Sequence, residues 1–313
     1  MNSGYSQNRT VNAPSTVSDS VTLDLPPRPA PLTSAILIFA ATSLLFFFSL
    51  YVALPYLRHK GVSWFCTYNL VLALPMFALV VFALLAYRSE GRPFTALAMR
   101  DRFRLQRMDS CTWLWTGSLS VFMYGGRFAI FLSFGLAIVA LIIEGRRDRK
   151  SILTGAAALA LFFFLCWILW QTEPWLRRVP LHSEPPALRE FLAQFSEHAF
   201  MGIPLHGSWW VVAYYALVLL VGNIAGEELW WRGYLLPRQE IVHGTMTWIV
   251  HGILWAAFHM FFQTNLWDMV RMIPTCCALA FVVQHRKNTW SGIVGHTFGN
   301  SPLLLQIVRG IMH

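Results

Sequence analysis

The chain has 313 residues, 56% of them hydrophobic and 12% charged, with 24 Lys and Arg against 15 Asp and Glu for a net charge of +9. Ordinary soluble domains carry about 25% charged residues, so this composition excludes a soluble enzyme and predicts an all-α, polytopic membrane helix bundle of about eight to nine spans. The basic surplus lies in short loops between apolar runs, as the positive-inside bias requires, and not in a nucleic-acid-binding patch.

Residues 1–32 are rich in Ser, Thr, Asn and Pro and predict a disordered N-terminal tail. No basic region precedes the first apolar run, so a cleavable signal peptide is not expected. The first span is expected over residues 33–55 and the second over 63–87, with Pro75 inside it. Between them Arg58, His59 and Lys60 form a short basic turn. Residues 88–109 form the most basic loop, carrying Arg88, Arg92, Arg100, Arg102, Arg104 and Arg107. The reading places it in the cytoplasm, with Phe103 and Leu105 flat on the membrane surface.

Residues 111–143 are apolar for 33 positions, about 50 Å as one helix at ~1.5 Å per residue and too long for a ~30 Å hydrocarbon core. Gly125-Gly126-Arg127 is the natural break, giving two short helices over 111–124 and 128–143. That hairpin also returns the basic run 144–150 to the cytoplasm. A further span is expected over 151–170. The proline-rich loop 171–207 then lies outside, with an amphipathic helix over 187–198 whose apolar face is Leu188, Phe191, Leu192 and Phe195.

Residues 211–224 run back towards the cytoplasm and deliver Glu227 and Glu228 near that side. Residues 229–242 mix Trp230, Trp231, Arg232, Tyr234 and Arg238 and predict an interfacial helix. Three more spans follow over 246–262, 267–283 and 290–312. The count is nine, with the N-terminus inside and the C-terminus outside. Cys66, Cys111, Cys166, Cys276 and Cys277 show no C-x-x-C spacing and read as small apolar fillers.

The chemistry concentrates after residue 208. Ionisable groups at membrane depth cost at least ~2.5–3.5 kcal/mol and therefore tend to face a cavity and to serve a function. Glu228 and Arg232 stand four apart, acid first, the favoured helical ion-pair spacing. Glu227 points about 100° away from Glu228 on a helix and is left for other work. His259 follows in a later span. His296 and Asn300 are four apart and share one helical face.

Glu227-Glu228-x-x-x-Arg232, then Ala257-Phe258-His259, then His296-x-x-x-Asn300 resembles the three-motif signature of the CPBP or Abi family. These are the CAAX prenyl protease and bacteriocin-processing intramembrane endopeptidases. The second motif departs from the family pattern, with Trp255 at a Phe position, where an aromatic packing role is expected. The resemblance covers roughly residues 208–310. It implies that Glu227 activates water, that His259 assists that water, and that His296 and Asn300 stabilise the oxyanion while Glu228 and Arg232 organise the site.

The family has been described both as a metalloprotease and as a glutamate protease. Zinc through Glu227, His259 and His296 is one option. The lack of H-E-x-x-H favours no cofactor. The expected function is an integral-membrane endopeptidase acting on a membrane-associated, possibly lipidated, protein or peptide. The alternatives are a non-catalytic bacteriocin-immunity or assembly factor on the same fold, and a carrier. The expected partners are membrane lipid and that substrate, and the expected location is a bacterial inner membrane. The expected division is a tail (1–32), N-terminal transmembrane helices (33–207) and a catalytic transmembrane domain (208–313).

Overall fold

In the computed structural model, residues 27–125, 127–145, 148–181 and 185–313 are described. The bulk of the expected tail, together with Gly126, Arg146 and Arg147, lies outside them. Helix α1 runs over Leu32–His59 and α2 over Trp64–Ser89. A short α3 (Ala96–Arg102) sits in the basic loop. Helices α4 (Ser110–Tyr124) and α5 (Arg127–Glu144) form a hairpin, and α6 covers Arg149–Gln171. Beyond α7 (Pro186–Ala193) and a two-residue hairpin of strands, β1 (Ala199–Phe200) and β2 (Ile203–Pro204), comes α8, continuous over residues 209–243. Helices α9 (Thr247–Phe258), α10 (Leu266–Arg286) and α11 (Thr289–Met312) complete the chain.

Among the described residues five helical stretches are long and apolar enough to cross a membrane, and a shorter apolar helix, Ala129–Glu144, adds to them. Their outward sides show why: Leu37, Phe131, Leu153, Leu161 and Phe164 are exposed, a surface that suits lipid and not water. The hairpin break expected near residue 125 is present. Gly125 has φ +87° and ends α4, a conformation that glycine alone adopts freely. Ser118 and Ser133 then bond across the hairpin, Ser118 Oγ donating to the Ser133 carbonyl at 2.8 Å.

Three prolines sit two positions past the ends of π-helical stretches: Pro55 after Phe48–Ala53, Pro75 after Asn69–Ala73, and Pro237 after Glu228–Leu235. Proline has no N–H and its ring crowds the carbonyl four residues back. A wider turn relieves that crowding without ending the helix, so α1 continues through Pro55 to His59.

One face of the bundle gathers the start of α1, the α2–α4 loop, the end of α5, the α8–α9 turn and the α10–α11 turn. Ala30 N donates to the Arg238 carbonyl at 2.9 Å, Thr289 N to that of Arg104 at 2.9 Å, and Arg286 Nη1 to Glu144 at 2.6 Å. The opposite face gathers the α1–α2 turn, residues 171–181 and 185–207, the α9–α10 turn and the end of α11. There Leu181 N donates to the Thr264 carbonyl at 3.1 Å and Gly207 N to that of Ile311 at 3.3 Å. The arginine-rich loops share the first face.

Three sequence expectations change. Phe103 does not lie flat on the membrane surface: it is buried against Tyr87, with ring centroids 5.5 Å apart. Arg102 binds Glu90 at 2.7 Å and donates to the Gly233 carbonyl at 2.9 Å, while Arg104 binds Glu240 at 2.7 Å. Both carboxylates are bound through two parallel N–H donors, the strong geometry for a guanidinium. Residues 229–242 are not an interfacial helix but the continuation of α8, with Trp231, Arg232, Leu235 and Leu236 fully buried. Trp231 stacks on Phe39 of α1 at 4.1 Å. The helix over 187–198 stops at Ala193, and Leu192 faces outward while Leu188 and Phe191 pack inward.

Burial pushes the Glu90 carboxyl up, but the Arg102 and Arg92 guanidiniums outweigh it and hold it below the ordinary 4.5. A carboxylate depressed in the folded state contributes stability above its unfolded value, lost as pH falls through the folded one. Docking of residues 90–109 therefore weakens below about pH 4.5. Limited proteolysis of this loop in membranes should rise there, and Glu90→Gln should show the same susceptibility already at neutral pH.

Candidate functional site

Glu227 stands in the middle of α8, between π-helical stretches at Val218–Ala225 and Glu228–Leu235. Such turns recur at functional positions in helices. Close approach of α2 fixes this segment: a Cβ at Gly226 would meet the Met76 carbonyl at 2.9 Å. Glu227 is 1% exposed, and its Oε2 accepts the Trp255 Nε1–H at 2.8 Å.

His259 caps the end of α9. Its Nδ1 lies 2.8 Å from the Trp255 carbonyl, which can only accept, so Nδ1 carries the proton and Nε2 is turned to Glu227. The Nε2–Oε2 distance of 3.9 Å is too long for a direct hydrogen bond and of a size that one water bridges. His296, on α11, is hydrogen-bonded through Nδ1 to Glu228 Oε1 at 3.0 Å. Asn300 stands one turn further along.

Glu227, His259, His296 and Asn300 line one cavity of about 400 Å³. Glu228 and Arg232 stand behind its wall, both 0% exposed, with Arg232 Nη1 3.1 Å from Glu228 Oε1. That contact is an ion pair without hydrogen-bond alignment, and no guanidinium nitrogen of Arg232 makes a hydrogen bond. Instead the guanidinium sits over the Trp255 indole, 3.5 Å from the ring centroid, an arrangement that a desolvated cation favours. The six residues therefore form two layers: four on the cavity and two supporting them.

Trp255 joins the layers. Its face carries the Arg232 cation, its N–H holds Glu227, its carbonyl orients His259, and its ring edge meets His296 at 5.4 Å. A packing role alone understates it, because phenylalanine has no N–H to offer the carboxylate. Asn223, one turn before Glu227, also lines the cavity, with its carboxamide oxygen buried and without a partner. Its signal in the sequence is a lone polar side chain four positions ahead of an acid in an apolar run. His251, by contrast, lies outside the site, 2.6 Å from Gln239 Oε1.

The N-terminal helices supply the remaining walls, through Tyr68, Leu72 and Met76 of α2 and Met123 of α4. Small residues let α11 approach: a Cβ at Gly295 would strike Leu119 at 2.6 Å, and one at Gly292 would overlap Glu228 Oε2. Among the described residues no three His, Cys, Asp or Glu side chains come together as a metal-ligand set. The thiols of all five cysteines are free.

Removing one partner of a buried charge pair costs about 3–5 kcal/mol, because the other charge is left uncompensated. Arg232→Ala should therefore lower thermal stability in detergent sharply. Gly292→Ala, which presses on the same carboxylate, should do so as well, whereas Asn300→Ala, on the cavity wall, should leave the melting temperature near wild type.

No curated protein and no solved structure matches the chain. Residues 208–301 match the model of the family described as type II CAAX prenyl endopeptidase Rce1-like, a stretch that takes in all six residues of the two layers, and it is to these membrane proteases that this part of the chain is similar.

Proposed function

We propose that the chain is an intramembrane endopeptidase in which Glu227 activates the attacking water. The observation that carries this reading is a carboxylate with one oxygen held by Trp255 at 2.8 Å and an imidazole nitrogen 3.9 Å away, on the wall of a cavity inside a helix bundle. The match of residues 208–301 to a peptidase family supports the same chemistry.

A water held between Glu227 and His259 Nε2 is polarised by two acceptors at once. As the water attacks a peptide carbonyl, Glu227 takes its proton and passes it to the leaving amine, the two halves of general acid–base catalysis. The developing oxyanion needs donors placed in advance. Asn300 offers its amide N–H groups. His296 offers Nε2–H on one condition. Its Nδ1 is engaged with Glu228, so the Glu228–His296 pair must hold one proton more than carboxylate plus neutral imidazole. With that proton the pair is neutral overall, and the Arg232 guanidinium behind it adds one positive charge. In the arrangement described no step passes through a metal.

The substrate is a peptide or protein that reaches the bilayer, and a lipid-modified one is consistent with a cavity walled by Leu72, Met76, Phe262 and Leu303. Glu227→Gln keeps the shape of the site and removes the base. It should abolish cleavage, read as accumulation of an uncut peptide in membrane proteomes, with the protein still at wild-type level. Equal peptide profiles would favour a non-catalytic immunity or assembly factor. Wild-type turnover should persist after metal chelation, and loss restored by zinc would overturn the metal-free route.

His296→Gln and Asn300→Ala each remove a donor from the place where the oxyanion forms, and each should lower the rate of cleavage with the protein still at wild-type level.

A further inference from the structure

The cavity is open unequally to the two faces of the bundle. Towards the arginine-rich face it ends on fully buried groups: Glu228 and Arg232, then Trp231, Leu235 and Val283. The loop carrying α3 seals the bundle further on that face. A Cβ at Gly233 would strike Phe103 at 2.9 Å, Arg102 binds the Gly233 carbonyl, and Thr289 Oγ1 donates to the Phe103 carbonyl at 2.6 Å.

Towards the other face the walls are Tyr68 on the first turns of α2, Phe195 after α7, Gln263 after α9 and Arg271 near the start of α10. All four belong to segments that meet on the face of the α1–α2 and α9–α10 turns. Arg271 is the marker of the mouth. It lines the cavity, yet its side chain is 53% exposed, held at Nε by Asp268 at 3.0 Å.

We infer that the cavity is loaded from the face opposite the arginine-rich loops. Positively charged loops stay in the cytoplasm, so that face is the non-cytoplasmic one. The substrate class, on the endopeptidase reading above, is then a peptide segment presented on the non-cytoplasmic side: an exported peptide, or the outward end of a membrane protein. The tail of a cytosolic protein would meet the sealed face. Arg271 at the mouth also gives an incoming segment with an acidic residue or a free carboxylate a first contact.

Labelling tests the inference without requiring turnover, so it succeeds or fails separately from the Glu227→Gln experiment. Single cysteines replace Gln263, Lys60 or Arg100 in the full chain with its five native cysteines changed to alanine. Sealed right-side-out and inverted membrane vesicles are then treated with a membrane-impermeant maleimide. Gln263→Cys and Lys60→Cys should label in right-side-out vesicles, and Arg100→Cys only in inverted ones. Labelling of Gln263→Cys with Arg100→Cys, labelling from neither side, or labelling of Arg100→Cys in right-side-out vesicles would overturn the inference. Thr275→Cys, on the same cavity wall, replaces Gln263→Cys should that variant fail to accumulate.

Discussion

The site rests on a fully desolvated charge set: Glu228 between Arg232 and His296, with the Trp255 ring under the guanidinium. Charges without access to water are tolerable only when every member stays in place. Three helices supply the members, α8 the glutamate and arginine, α9 the tryptophan and α11 the histidine. Displacing α9 takes the indole from the guanidinium, and displacing α11 takes the imidazole from the carboxylate, so these contacts tie the three helices to one another. The Glu227 carboxylate is held to the same frame by the Trp255 indole. Stability and catalytic geometry are thus set by one group of side chains, which ties damage to the supporting layer directly to damage at the cavity.

The all-α bundle was legible because apolar runs of span length separated by arginine-bearing loops leave few alternatives. The break near Gly125 was legible for a simpler reason, since 33 apolar residues exceed the bilayer as one helix. What was not legible came from contacts distant in the chain. Trp230, Trp231, Arg232 and Tyr234 look interfacial by composition, and only the packing of α1 and α2 on that face buries most of them. Phe103 and the arginines around it look like a lipid-binding surface until Glu90 and Glu240 are found within reach.

For the site, spacing named the residues on α8 and α11 that share a face, but spacing says nothing of which layer a side chain joins. The work of Trp255 was hidden because aromatic residues at membrane depth are ordinarily packing. Asn223 and Gly292 were hidden because each has meaning only beside a partner, the cavity for one and the Glu228 carboxylate for the other. The walls given by Tyr68, Met76 and Met123 lie outside the family match at residues 208–301. The fit of a substrate therefore depends on helices that carry none of the three motifs.

The widened turns on either side of Glu227 have a consequence for register. A π-turn accommodates a residue beyond the number an α-turn holds. Each residue of an α-helix advances the azimuth by about 100°. The stretch Val218–Ala225 thus takes up an extra residue inside the helix, and losing that residue to ordinary α-helix leaves the side chains beyond it facing as they did. A further insertion with no widened turn to absorb it would swing every side chain beyond it by roughly that angle. Helix α8 would remain as apolar as before and span the bilayer as well, yet its acid would no longer be aimed at the histidine of α9.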